Sequence, residues 1–206
     1  MKNSRDAILA DIAQALGRKT PQQPTEFDQA PVTLQRVTDV DLVALFCEQA
    51  EQARSEIVTT TQDQLVPSVL AWLQAQKLTA TVDLAPALQS WDWQDLSVSV
   101  GGADENSVVG ITPCTCGIAE TGTVLCLSSP EHPTTLNFLP EVHVVLLNKQ
   151  DIVATYEHAW QRVPETLPRT ANFISGPSRT GDIEQTLQFG AHGPKRLVIF
   201  LYGVSP

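Results

Sequence analysis

Val142-His143-Val144-Val145-Leu146-Leu147 is the stretch whose reading decides the fold. A strand with one wet face alternates apolar and polar side chains. Here Val142, Val144, Val145, Leu146 and Leu147 form a nearly continuous apolar run, the pattern of a strand covered on both faces. Such strands belong to sheets layered between helices, so the run predicts an α/β fold.

Other strand signals lie to either side. Leu96–Val100 precedes Gly101-Gly102, and Val108–Thr112 and Thr123–Leu127 follow, separated by Gly, Pro or polar turns. Thr170–Ile174 and Leu197–Tyr202 come later, and Glu56–Thr60 and Thr79–Val82 are short β-favouring runs near the start of the body. Helical patterns fall between them. One, capped by Thr38 or Asp39, carries Leu42, Leu45, Phe46, Ala50 and Ala53. Another runs from about Asp63 through Leu65, Val69 and Leu73, with a short helix expected within Leu84–Trp93. Asp151–Arg162 and Gly181–Phe189 read as two more helices. The alternation predicts a largely parallel or mixed central sheet.

The N-terminus differs. Ile8, Ile12 and Leu16 recur at helical spacing and Gly17 follows as a stop, predicting a helix over Ser4–Leu16 whose stripe needs the main body or another subunit. Residues 18–36 hold Pro21, Pro24 and Pro31 and read as an extended linker. The expected division is residues 1–37, helix and linker, and residues 38–206, one domain.

The 206 residues are 42% hydrophobic and 17% charged, enough apolar material for one core, and the formal net charge is −10. With no dense Lys/Arg cluster, that charge argues against nucleic acid and anionic membranes as partners. No apolar run approaches the roughly 20 residues of a membrane span. The amphipathic start is not a signal-peptide core, so the expected location is the cytoplasm. Four cysteines, Cys47, Cys114, Cys116 and Cys126, do not make a secreted disulfide framework in a chain this long. Cys114-Thr115-Cys116 could chelate, but the spacing of a zinc or iron–sulfur site is missing, so neither metal nor cofactor is expected in this chain.

Three blocks carry candidate chemistry. In Ser175-Gly176-Pro177-Ser178-Arg179-Thr180-Gly181-Asp182-Ile183-Glu184 a strand ends and a helix opens. Ser178 or Thr180 can cap that helix, and Asp182 and Glu184 suit its dipole. The same turn, with Gly176, could hold a small anion, although its two carboxylates disfavour a bare phosphate. In Ile118-Ala119-Glu120-Thr121-Gly122-Thr123 a glutamate sits where a turn enters a strand. It is either an exposed turn residue or, in an apolar setting, a base or nucleophile. His143 heads the apolar strand as a structural or proton-transferring imidazole. His192, in Gly190-Ala191-His192-Gly193-Pro194, follows the last helix. A helix of roughly ten residues would put it about 15 Å from Ser178.

Together with Gly110-Ile111-Thr112 and Leu139-Pro140-Glu141-Val142-His143, these blocks closely resemble the LUD domain family, best its lactate utilization protein C type, over about Thr38–Tyr202. The resemblance implies a three-layer α/β sandwich similar to the sugar-phosphate isomerase and CoA-transferase group. It also implies a part in oxidation of L-lactate to pyruvate beside iron–sulfur partner subunits, with no cluster in the short type. Cys114 and Cys116 depart from the small or acidic residues expected there, and Gly181 from an alanine.

Three functions follow as expectations. The first is a subunit or accessory protein of a lactate-oxidising complex without its own redox cofactor. The second is a stand-alone enzyme on a small carboxylate or its phosphate or CoA derivative. In it Glu120 is base or nucleophile, His143 moves a proton, and Thr121, Gly122, Gly176, Ser178, Thr180, Asp182, Glu184 and His192 form the ligand site. The third is a small-acid sensor with the same pocket and no chemistry.

Overall fold

A computed structural model of the chain describes residues 4–17, 40–78, 81–93, 96–180, 188–189 and 192–203. The chain divides into two compact units, residues 1–36 and 37–206. In the first, α1 (Ser4–Ala15) ends at Gly17, whose φ of +65° and N–H bond to the Gln14 carbonyl make a left-handed helix stop. Its apolar residues Ile8, Leu9, Ile12 and Leu16 are exposed. The expected linker lies outside the described residues.

The second unit is built on a six-stranded, all-parallel sheet in the order β1-β12-β7-β4-β2-β3. These are β1 (Glu56–Thr59), β2 (Val82–Leu84), β3 (Val98–Val100), β4 (Val109–Pro113), β7 (Val142–Asn148) and β12 (Arg196–Tyr202). β7 is central, and its residues Val142–Leu147 are all buried. On one face Val142, Val144 and Leu146 join Val198 and Phe200 of β12 and meet Leu65, Val69 and Leu73 of α3 (Leu65–Ala75). On the other, Val145 and Leu147 join Leu197, Ile199 and Leu201 and meet Phe46 and Ala50 of α2 (Leu42–Gln52). Helices therefore cover both faces of a mostly parallel sheet. The cap of α2 is Asp41, not Thr38 or Asp39. Its Oδ1 accepts from the N–H groups of Val43 (2.9 Å) and Ala44 (3.2 Å), satisfying two free donors of the first turn.

A second sheet lies on the α2 side, in the order β8-β5-β6-β9, from β5 (Cys116–Ile118), β6 (Thr123–Leu127), β8 (Ile152–Val153) and β9 (Ala171–Ile174). Here the sequence reading needs two corrections. Cys116–Ile118 is a strand that the reading missed, because β5 has three residues and owes its place to pairing with β6 and β8. The helix expected over Asp151–Arg162 shrinks to α5 (Tyr156–Trp160). The β-branched pair Ile152-Val153 goes into β8 instead, where it completes a ladder with Gly117 and Ile118.

The helix expected over Gly181–Phe189 also changes. Arg179–Thr180 (β10) pairs antiparallel with Gln188–Phe189 (β11), so the end of that segment is a strand. Residues 181–187, with Asp182 and Glu184, lie outside the described residues. The short helix α4 (Thr135–Phe138) enters β7.

Candidate functional site

His143 is the second residue of β7, registered against Gly110 of β4 and Leu197 of β12. It is fully buried, and burial alone depresses its pKa to about 3, so the imidazole is neutral at physiological pH. One ring nitrogen, Nε2, shares a 2.8 Å hydrogen bond with the buried Thr112 hydroxyl. The other, Nδ1, has no hydrogen-bond partner among the described residues. An unpaired buried polar atom costs about 1–3 kcal/mol, so such groups call for an explanation.

His143 is one of the residues lining a cavity of about 250 Å³. Asn137 and Phe138 of α4 supply one side and Phe173 and Ile174 of β9 another; Ser175-Gly176-Pro177-Ser178 and His192-Gly193-Pro194 close it, with Leu197 of β12. The structure thus brings together four of the predicted residues, His143, Gly176, Ser178 and His192. The roughly 15 Å separation expected of Ser178 and His192 does not hold. The Ser178 N–H bonds the Pro194 carbonyl at 2.9 Å, and a Cβ built on Gly193 would stand 3.2 Å from the Ser178 Cβ. Here the Ser178 backbone anchors one loop to the other; the first turn of the helix it was expected to cap lies outside the described residues.

The Ser175–Arg179 turn is held against the end of α2. Gly176 has φ +73°, and any Cβ there would collide with the Ala53 carbonyl. Arg179 Nη2 donates to that carbonyl at 2.9 Å, placing a cation at the negative end of the helix. The opposite wall is pinned at Glu141. Its carbonyl accepts from the Lys195 and Arg196 N–H groups, and its carboxylate pairs with Lys195 Nζ at 2.9 Å. The cavity therefore sits at the amino-terminal ends of β7 and β12. Open α/β sheets more often place ligands beyond the carboxyl ends.

Glu120, Thr121 and Gly122 are not among the cavity-lining residues. They form the loop of the β5–β6 hairpin. Glu120 Oε1 accepts the Tyr156 N–H at 2.9 Å and so caps α5, whose own cap residue, Thr155, makes no capping side-chain bond. Thr121 and Thr123 share a 2.8 Å hydroxyl bond, and Thr123 reaches the Tyr156 hydroxyl at 3.1 Å. Gly122, at φ +62°, packs against the α2 backbone so closely that a Cβ would overlap the Ala50 N and Cα. This geometry latches the second sheet to α2 and α5. Thr180 lies in β10.

Sequence reasoning missed Asn137, Phe138 and Phe173 as lining residues and Thr112 as the partner of His143. Asn137 is buried on a four-residue helix, too short to leave a periodic pattern. A buried asparagine next to the Leu139–His143 block is a usable signal in hindsight.

The thiols sit in apolar surroundings. Burial pushes Cys116 up to about 11 and Cys126 up to about 12, and raises Cys114 well above its ordinary value. Protonated thiols are poor metal ligands. Among the described residues no group of three or more His, Cys, Asp and Glu is placed to hold a metal, and no helix is long and apolar enough to cross a membrane. A larger cleft of about 800 Å³ runs between residues 128–135 and 164–170. Its lining is prolines, hydroxyls, Leu167 and Arg169, with no buried group left unpartnered. The smaller cavity is the better candidate on chemistry.

Comparison with known proteins agrees with this fold. The chain is 28% identical to lactate utilization protein C of Geobacillus thermodenitrificans, over 94% of this chain and 93% of that protein. It is 30% identical to the Shouchella clausii protein of the same name, over 94% and 95%. An uncharacterized Neisseria meningitidis protein is 42% identical over a shorter stretch, 46% of this chain and 42% of that protein. In the crystal structure of a DUF162 family protein from Deinococcus radiodurans, 18% identical, the fold is shared at a TM-score of 0.61 over 79% of this chain and 97% of that one. The LUD domain profile matches residues 31–202, which include every described residue lining the His143 cavity. The chain belongs to the LUD domain family.

Proposed function

We propose that the chain is a component of an L-lactate utilisation system, working beside iron–sulfur subunits that carry the electrons. The observation that carries this reading is the end-to-end likeness to lactate utilization protein C, which spans 94% of this chain and 93–95% of the relatives. The thiols support a non-redox part, since each of Cys114, Cys116 and Cys126 is held in its protonated form by burial. The His143 cavity supports handling of a small molecule. Glu120 is engaged as a helix cap, and this geometry lends no support to it as base or nucleophile.

The test is genetic. Deleting the gene in its native host should abolish growth on L-lactate as sole carbon source and spare growth on pyruvate. The tagged full chain, purified from lactate-grown cells, should bring iron–sulfur proteins with it. Undiminished growth of the deletion strain on L-lactate would overturn the proposal.

A further inference from the structure

Strand β9 (Ala171–Ile174) ends the second sheet, with β6 on one side and no strand on the other among the described residues. Its pairing with β6 fixes which backbone groups point outward. The Ser128 N–H bonds the Thr170 carbonyl at 3.0 Å, and the register continues as Cys126 with Asn172 and Val124 with Ile174. Hydrogen-bonded pairs alternate along an antiparallel ladder, so Thr170, Asn172 and Ile174 face β6. The N–H and C=O groups of Ala171 and Phe173 face away from it, and none of these groups has a partner among the described residues. Open strand edges are usually blunted by charge, proline or a bulge. Ala171-Asn172-Phe173-Ile174 holds neither charge nor proline.

Aromatic surface adjoins this edge. The Phe173 ring, 36% exposed, stands 5.2 Å from the Tyr156 ring and 6.4 Å from the Trp160 ring, which are 36% and 55% exposed. At about 150–250 Å² per ring, the three leave roughly 200–300 Å² in water. Exposed Trp and Tyr clusters are the anchors of protein interfaces.

An identical strand complements this edge. Turned over by a two-fold axis beside Asn172, a second β9 runs antiparallel and sets Ala171 against the partner's Phe173, and Phe173 against the partner's Ala171. Each of these pairs exchanges both backbone bonds. Residues opposite each other share a face of the sheet, so each large ring lies beside a small alanine. The two Asn172 amides meet at the axis, each with donors and an acceptor for the other. Sliding the partner until the two Phe173 residues meet keeps a single bonded pair within β9 and sets ring against ring.

We infer that the chain forms a two-fold dimer through β9, joining its four-stranded sheet to that of a second copy and covering Tyr156, Trp160 and Phe173 at the seam. The inference does not depend on the lactate reading. Over both copies the rings bury roughly 400–600 Å², about a third of the 1,200–2,000 Å² of a stable interface, and the strand edges and flanking surface supply the rest. Phe173 and Ile174 also line the cavity of about 250 Å³, so the second copy stands beside that cavity.

Sedimentation velocity of the full chain tests this, over concentrations from about 1 to 200 µM, where interfaces of modest area dissociate. The weight-average mass should rise from 22.4 kDa toward twice that value. Phe173→Lys puts a charge on the seam and should raise the dissociation constant at least tenfold. Asn172→Asp and Asn172→Lys should each be monomeric, because like charges then meet at the axis. Mixing these two variants should restore a one-to-one dimer, which a folding defect would not do; circular dichroism establishes that both are folded. A wild-type chain that stays at 22.4 kDa throughout overturns the inference. So does a dimer that Phe173→Lys leaves intact, or a mixture of the folded Asn172 variants that stays monomeric.

Discussion

Gly122→Ala separates two meanings of the Glu120-Thr121-Gly122 block, ligand loop and structural latch. At φ +62° an L side chain costs roughly 1–2 kcal/mol in backbone strain. The new Cβ would also overlap the Ala50 N and Cα and stand 2.5 Å from the Gln49 carbonyl carbon, all in the α2 backbone. A helix backbone cannot swing aside as a side-chain tip can, so overpacking adds about 1–3 kcal/mol. The expected loss is roughly 2–5 kcal/mol, or about 5–15 °C in melting temperature for a domain of this size. Gly101→Ala is the control. Gly101 also has positive φ, +142°, but nothing lies within 4 Å of its Cβ, so it reports backbone strain alone. Urea unfolding followed by tryptophan fluorescence gives both values. Equal destabilisation of the two variants would refute the contact argument.

Other expectations concern single groups. Glu120→Gln keeps a carbonyl to accept the Tyr156 N–H and should cost less than about 0.5 kcal/mol, whereas Glu120→Ala loses the cap and should cost about 1 kcal/mol by urea titration. His143 should make the domain acid-sensitive. In the unfolded chain it takes a proton near pH 6.5, but in the folded chain only near 3, so the unfolded state binds more protons between these values and stability falls as pH falls. Its share is about 1.4 kcal/mol per pH unit across that window, and His143→Gln should flatten the slope in unfolding curves taken from pH 7 to 4. Iodoacetamide at pH 7.5 should leave Cys116 and Cys126 unlabelled in the native protein and label both in urea, as mass spectrometry of the peptides would show. Rapid native labelling of either would contradict their burial.

What the residues alone determined was the layered architecture. Val142–Leu147 is apolar on both sides of its pleat, and two-sided burial is a property of a strand's own side chains. The same holds for the helical stripes of Leu65, Val69 and Leu73 and of Phe46 and Ala50. Each stripe is written within one segment, so it can be read before anything is known of the segment's neighbours. The limit came where a segment's state depended on a distant partner. Ile152-Val153 continued a helical pattern, yet became a strand because Gly117 and Ile118 offered a ladder. Phe189 ended an expected helix, yet pairs with Arg179.

The candidate site divides the same way. Sequence singled out His143, Gly176, Ser178 and His192 as residue types suited to a small ligand. Their convergence came from the Ser178–Pro194 backbone bond and the β7–β12 register, contacts between segments far apart in the chain. Glu120, read from its apolar neighbours as a base or nucleophile, was claimed by the open end of α5, whose start only the folded chain sets. A carboxylate within reach of an unsatisfied helix N–H is held there by that bond. No inspection of the residues flanking Glu120 could have shown which N–H would arrive.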